Sequence, residues 1–237
     1  MKRNFKFSII AADTSRTRAY LNVLALNGFI PQNAIILKDE NKKLKNQNNL
    51  NFVQDKDWPE ANFDQEIPIE YWFKNLSVPF KLFCTRDIND NKIIDYLKTL
   101  DQKLFIFSGY GGTILRKKIL STEKLFLHVH GGYLPNYKGS TTNYYSIIND
   151  NEIGASAIIL DANIDSGPII FRNKFPANIN KKNIDYVYDA AVRSRILIEA
   201  LKILEINPDF RQLVDHQEYE FTYYIIHPVL KHIAILN

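Results

Sequence analysis

The segment from His128 to Gly167 gathers the side chains that could do chemistry. HVHGGYLPNYKG opens on two histidines one residue apart, and LDANIDSGP follows with Asp161 and Asp165. The apolar run Leu125 to Leu127 leads into His128, Val129 and His130 and reads as a strand; side chains alternate faces along a strand, so both imidazoles should point the same way. GGYLP stops that strand. A second apolar run, Ala157 to Leu160, gives way to a loop with Asp161, Asp165 and Gly167 before Pro168 and another apolar run, which offers Asp165 at a second strand end. An imidazole titrates near neutrality and can carry a proton, while a carboxylate such as Asp165 would orient it and favour its cation. Two histidines one residue apart with Asp165 are also a zinc-ligand pattern, so metal-dependent hydrolysis is a rival reading. A purely local role, with both histidines satisfied by nearby backbone, is a third.

At these residues the sequence resembles the formyltransferase family that uses 10-formyltetrahydrofolate. That family's signature runs Asn-x-His-Pro-Ser-Leu-Leu-Pro-x-Tyr/Phe-Arg/Lys-Gly and later Asp-x-x-x-Asp-Ser/Thr/Ala-Gly. Leu134, Pro135, Tyr137, Lys138 and Gly139 match the first element, and Asp161, Asp165, Ser166 and Gly167 match the second. The match is strong over residues 100 to 175 and fades on either side. It implies that His130 and Asp165 are the catalytic His and Asp. His128 stands where the family has its catalytic Asn and Gly131 where it has Pro, so His128 is expected to donate to the oxyanion from a ring nitrogen. The resemblance further implies 10-formyltetrahydrofolate as co-substrate and no metal. Ser108, Gly109, Tyr110, Gly111, Gly112 and Asp161 would then line the folate pocket, with the main chain of the glycine-rich turn bonding the pterin.

The family also frames the acceptor. Members that modify initiator tRNA carry an additional carboxyl-terminal domain, and members that act on glycinamide ribonucleotide have a glycine-rich phosphate turn after the first strand. Here a short stretch follows the core, and that turn is AADTSRTRAY, without glycine. A nucleotide-linked amino sugar of surface-polysaccharide (O-antigen) biosynthesis is therefore the expected acceptor, with Arg16, Arg18, Lys138 and the tyrosines Tyr144 and Tyr145 expected to meet its diphosphate and base. Methionyl-tRNA and glycinamide ribonucleotide are alternative acceptors. A folate or sugar-nucleotide binding protein without turnover is the non-enzymatic alternative, suggested by the departures at His128 and Gly131.

The elements that must hold these residues in place alternate in type. FKFSIIAAD reads as a strand, TSRTRAYLNVLALNGF as a helix closed by Gly28, and AIILKD as a second strand. VPFKLFCT is another strand, DINDNKIIDYLKTL a helix capped by Asp87 or Asn89, and KLFIFSGYG a buried strand that exits into glycines. Such alternation predicts an α/β fold, a Rossmann-like, mostly parallel sheet flanked by helices with its site at the carboxyl ends of strands. SGYGGTILRKKIL matches neither the dinucleotide fingerprint nor the Walker pattern, so close backbone packing is the alternative to a ligand-binding role. Residues 39 to 75, with Trp58, Tyr71 and Trp72, read as a long surface excursion serving as a substrate wall or subunit contact. INKKNIDYVYDAAVRSRILIEALKIL reads as one long amphipathic helix starting near Asn183 or Asp185. The tail FTYYIIHPVLKHIAIL should hold a strand and a short helix, with His227 and His232 in capping or packing roles. Domain organisation is expected as a catalytic domain over residues 1–175, with a helix and tail over 176–237 packed on it.

Composition sets wider bounds. A chain of 237 residues with 46% hydrophobic residues can fill one large core. Its 30 basic and 26 acidic residues are interspersed, and the Lys-rich NKKLKNQNNL precedes acidic DKDWPEANFDQE, which reads as solvated surface and not as a nucleic-acid stripe. Cys84 is the single cysteine and, on an apolar run, is expected to be a buried filler. MKRNFKFSIIAAD has an apolar run too short for a signal peptide, and no stretch approaches a membrane span. A cytoplasmic enzyme, as a homodimer, is the expectation.

Overall fold

Short apolar runs bounded by polar turns become strands. These are β1 (Ser8–Ala12), β2 (Ala34–Leu37), β3 (Phe80–Phe83), β4 (Leu104–Ser108), β5 (Leu125–His130), β6 (Glu152–Ile159) and β7 (Ile169–Pro176). The computed structural model describes residues 3–39, 55–207 and 222–236. The strands form one sheet in the order β3-β2-β1-β4-β5-β6-β7, parallel from β3 through β5 and antiparallel where β6 and β7 are added. This is the mostly parallel, helix-flanked sheet that the alternation of elements predicts.

The helices are α1 (Ser15–Leu26), α2 (Ile69–Asn75), α3 (Asn91–Thr99), α4 (Lys117–Leu120), α5 (Thr142–Asp150), α6 (Asp189–Ile206) and α7 (Pro228–Leu236). Thr14 caps α1 by accepting from Thr17 N, and Gly28 just beyond takes a left-handed φ of 73°. The cap of α3 is Asp90, which accepts from Lys92 N. Asp87 instead closes its own turn by accepting from Asn89 N at 2.9 Å. The long helix expected after Phe175 begins as a 3-10 turn at 181–183 and a π turn at 184–188, and becomes regular at Asp189.

Central strands bury both faces, so their sequences read as unbroken apolar runs. Ile9 and Ala11 point to a cluster shared with Tyr20 and Leu24 of α1 and Ile196, Leu197 and Leu201 of α6. Ile10 and Ala12 point to the opposite cluster, with Ile93 and Leu97 of α3. The helix after residue 176 therefore completes the core layer that α1 begins.

Three expectations are corrected. Residues 55–75 are not a surface excursion: Trp58, Phe63, Ile69 and Phe73 are buried, and Trp58 packs edge-on against Phe175 at 5.2 Å and under the Arg195 guanidinium at 4.0 Å. Residues 40–54 of that segment, with the whole Lys-rich run, lie outside the described residues. Cys84 is exposed, because β3 is the edge strand and shows Lys81 and Leu82 to solvent. The tail contributes a single parallel bridge between Tyr223 and Gly139 in place of a strand, followed by α7, whose first turn His227 helps to close by accepting from Val229 N at 3.3 Å. Among the described residues no helix is long and apolar enough to cross a membrane.

Candidate active site

Alternation along β5 sends Leu127 and Val129 into the α1/α6 cluster and Phe126 into the opposite one. His128 and His130 therefore share the Phe126 face, as two residues one apart on a strand must. His130 is buried, and its Nδ1 lies 3.3 Å from Asp165 Oδ2, with the two side chains 6% and 13% exposed. Its Nε2 donates to the Tyr137 carbonyl at 2.7 Å. A carbonyl only accepts, so Nε2 carries a proton and Nδ1 is the nitrogen that titrates against the carboxylate. Burial lowers the His130 pKa, the Asp165 charge raises it in opposition, and the Arg193 cation lowers it again. Gly132 makes the Tyr137 contact possible: a Cβ there would stand 2.3 Å from that carbonyl oxygen and 2.8 Å from His130 Nε2.

Asp165 does not come from a strand end beside His130. The Leu160 N–H donates to the Phe126 carbonyl, so the β6–β7 connection leaves beside the start of β5 and runs back to place Asp165 at the other end of that strand. Asp165 holds a left-handed φ of 49° and also accepts from Gly139 N at 3.3 Å. The carboxylate thus ties the loop after β5 to the loop after β6.

His128 lies 3.2 Å from the Phe107 carbonyl through Nδ1, which must be the protonated nitrogen. Burial, followed by the cations Arg16 and Arg193, holds its pKa well below the usual 6.5. With its proton on Nδ1 the neutral ring presents Nε2 as an acceptor. Donation by His128 to an oxyanion would need the other tautomer, with the proton on Nε2. With His130 facing Asp165 and a carbonyl, and His128 facing another carbonyl, the zinc reading also lacks a ligand set. Among the described residues no three His, Cys, Asp or Glu side chains gather where a metal ion could sit.

Of the residues expected to line a folate pocket, Ser108 to Gly112 form the shelf at the end of β4, while Asp161 lies on the connection after β6. Ser108 is buried, with its Oγ 2.8 Å from Thr17 Oγ1 and 3.4 Å from Arg16 Nε. Gly109 packs so closely that a Cβ would lie 2.4 Å from the Phe107 ring. Gly111 and Gly112 are exposed and face open space, so their main chain is accessible to a ligand. Tyr110 spends its hydroxyl on the Leu37 carbonyl at 3.1 Å, and Asp161 holds its own loop by accepting from Asn163 N at 2.9 Å and Ser166 Oγ at 3.3 Å.

The residues expected at the acceptor scatter. Arg16 donates to Ser108 and to the Gly109 carbonyl, which holds its guanidinium against the shelf. Arg18 is held by Asp13 at 2.6 Å and by the Ile67 carbonyl at 2.8 Å. Tyr144 is buried at the wall of a cavity of about 170 Å3 beside His130, and its hydroxyl donates to Asp185 at 2.7 Å. Lys138 lies on the loop after β5, where its carbonyl accepts from Tyr223 N at 2.8 Å. The same cavity is lined by Asn143, Asp189 and Arg193, which sequence reasoning passed over. Asp189 and Arg193 are four apart on α6 and bonded at 2.8 Å, a spacing legible in sequence only as an ordinary helix ion pair.

A family model described as formyl transferase matches residues 23–200. The chain is 30% identical over 148 residues to a methionyl-tRNA formyltransferase of Trichormus variabilis, covering 55% of this chain and 43% of that relative. It thus spans less than half the length of that relative. In structure it resembles phosphoribosylglycinamide formyltransferase from Streptococcus pneumoniae, at a TM-score of 0.56 and 17% identity over 86% of this chain and 99% of the other. It also resembles a sugar N-formyltransferase from a Shewanella species, at 0.52 and 14% over 99% and 87%. At these identities the structural likeness concerns the fold.

Proposed function

Because the chain belongs to the formyl transferase family, we propose that it moves a formyl group from 10-formyltetrahydrofolate to a primary amine, with a nucleotide-linked amino sugar of O-antigen type as acceptor. The observation that carries the reading is the buried His130–Asp165 pair at 3.3 Å, held between two loops at one end of β5. When bound, the folate supplies an activated formyl carbon. His130 takes the proton released by the attacking amine and returns it to the departing nitrogen, while Asp165 holds the ring and favours its charged form. Both ring nitrogens already have partners, so as the acceptor enters Nε2 leaves the Tyr137 carbonyl and the single ring proton moves to Nδ1, facing Asp165, which frees the Nε2 lone pair for the proton of the amine. The open main chain of Gly111 and Gly112 suits a flat, hydrogen-bonding ring.

Support for a sugar acceptor comes from the turn after β1. Asp13 and Thr14 there hold Arg18 and the α1 cap, leaving no glycine cradle for a ribonucleotide phosphate. Initiator methionyl-tRNA is the second reading, favoured by the name of the 30% identical relative. Incubation with 10-formyltetrahydrofolate and, separately, nucleotide 4-amino sugars, glycinamide ribonucleotide and charged initiator tRNA distinguishes them by mass spectrometry. Gain of a formyl mass on an amino sugar is expected; formylation of the tRNA or the ribonucleotide alone would remove the sugar assignment.

A further inference from the structure

Gly131 follows His130 directly, and its missing side chain is replaced by a charge. A Cβ at this position would lie 2.4 Å from Arg193 Nη2 and 2.7 Å from Asp189 Oδ1. The guanidinium is fixed in that space by two bonds, Nε to Asp189 Oδ2 at 2.8 Å and Nη1 to the Val129 carbonyl at 2.6 Å. Asp189 is held in turn, since its Oδ1 accepts from Asn143 Nδ2 at 3.0 Å and Asn143 Oδ1 accepts from Gly154 N at 3.3 Å. The bonds that fix Arg193 run from Nε and Nη1, which leaves Nη2 protons to be given at the Gly131 space, and Arg193 lines the cavity that His130 also lines. His128, the other candidate donor, presents only an acceptor once its Nδ1 proton is given to the Phe107 carbonyl.

We infer that Arg193, reaching the site through the space left at Gly131, is the donor that holds the formyl oxygen as negative charge develops on it. The inference rests on the formyl-transfer reading. As the acceptor nitrogen bonds to the formyl carbon, the C=O π pair moves onto oxygen, where the Nη2 proton meets it. When the bond from that carbon to the departing nitrogen breaks, the pair returns to C=O, and the proton taken from the amine passes through His130 to the departing nitrogen. A donor already anchored in place needs no reorganisation at that moment, which is what makes such donors effective. Gly131 is a specificity position on this account, because any side chain there would push the guanidinium off the reacting oxygen.

The test compares the wild-type protein with Arg193→Gln, Arg193→Lys and Gly131→Ala in two measurements, with thermal unfolding confirming that each variant is folded. In steady-state formyl transfer, Arg193→Gln and Gly131→Ala should lose about a hundredfold in kcat with little change in KM for the folate, and Arg193→Lys should recover part of the loss. In the second measurement, 13C-labelled formate stands in for the oxyanion, and its affinity by NMR titration should weaken about tenfold or more in Arg193→Gln and Gly131→Ala. Gly131→Ala keeps every α6 side chain, so it decides the matter if Arg193→Gln fails to fold. Wild-type kcat and formate affinity in a folded Arg193→Gln or Gly131→Ala would overturn the inference and leave the formyl-transfer reading standing. If the wild type formylates no acceptor, that reading fails and formate alone decides: Arg193-dependent binding upholds the donor site, and Arg193-independent binding removes it.

Discussion

Replacing Asp165 by Asn isolates the electrostatic part of the His130–Asp165 pair with the least structural disturbance. Asp165 sits at φ 49°, a left-handed conformation that Asn tolerates and Ala does not, and the Asn carboxamide oxygen can still accept from Gly139 N. What disappears is the negative charge 3.3 Å from His130 Nδ1, between side chains 6% and 13% exposed, where water screens little. A hydrogen bond to a charged group contributes about 1.5–3 kcal/mol. At 1.36 kcal/mol per factor of ten, turnover should fall roughly ten- to 150-fold. The pH profile should move as well. Asp165 opposes the lowering of the His130 pKa by burial. Without it the largest opposing influence is lost and only the weaker ones of the Tyr137 carbonyl and Asp189 remain, so the acidic limb of kcat/KM, set by protonation of His130, should shift to lower pH. The assay is formyl transfer against pH for wild type and Asp165→Asn, with thermal unfolding as a control. An unchanged limb together with wild-type turnover would refute the role assigned to the pair.

His128 makes stability depend on pH. Its folded-state pKa lies well below 6.5, so as pH falls below the unfolded value the unfolded chain binds the proton first and stability declines until the folded value is reached; the thermal midpoint should drop from about pH 7 to about pH 5, and His128→Asn should flatten that slope. Gly132→Ala should destabilise by about 1–3 kcal/mol in urea unfolding and slow turnover, because the new Cβ overlaps the Tyr137 carbonyl that holds His130. Tyr144→Phe removes the bond to Asp185 and should cost about 1 kcal/mol in the same assay. A loss of acceptor binding with unchanged stability would instead place the Tyr144 hydroxyl on the substrate.

The sheet was legible because parallel strands buried on both faces are continuous apolar runs, and FKFSIIAA, AIIL, LFIFS and LFLHVH are such runs. Helix α1 announced itself through its apolar spacing and Gly28 after it. Helix α5 did not: GSTTNYYSIIND is rich in turn-forming residues, and its burial against β6 comes from tertiary packing, not from propensity. The pairing of His130 with Asp165 was legible only as two motifs, since the connection that brings them together runs back along β5. The partner of His128 was not legible, because it is a backbone carbonyl on β4 and main-chain acceptors leave no mark in sequence. Arg193 was hidden for the opposite reason: with Asp189 it reads as a helix-surface pair, and only the vacant Cβ position of Gly131 shows where its guanidinium goes.

The most direct test of the proton-transfer role is single-turnover formyl transfer by His130→Gln, with 10-formyltetrahydrofolate and the acceptor identified from the panel both saturating. Gln can still donate to the Tyr137 carbonyl, so the loop after β5 keeps its anchor while the titrating nitrogen is gone. A slowing of roughly a hundred- to ten-thousandfold, with folate affinity unchanged, is the expected result. Formyl transfer at the wild-type rate by a folded His130→Gln protein would contradict the account.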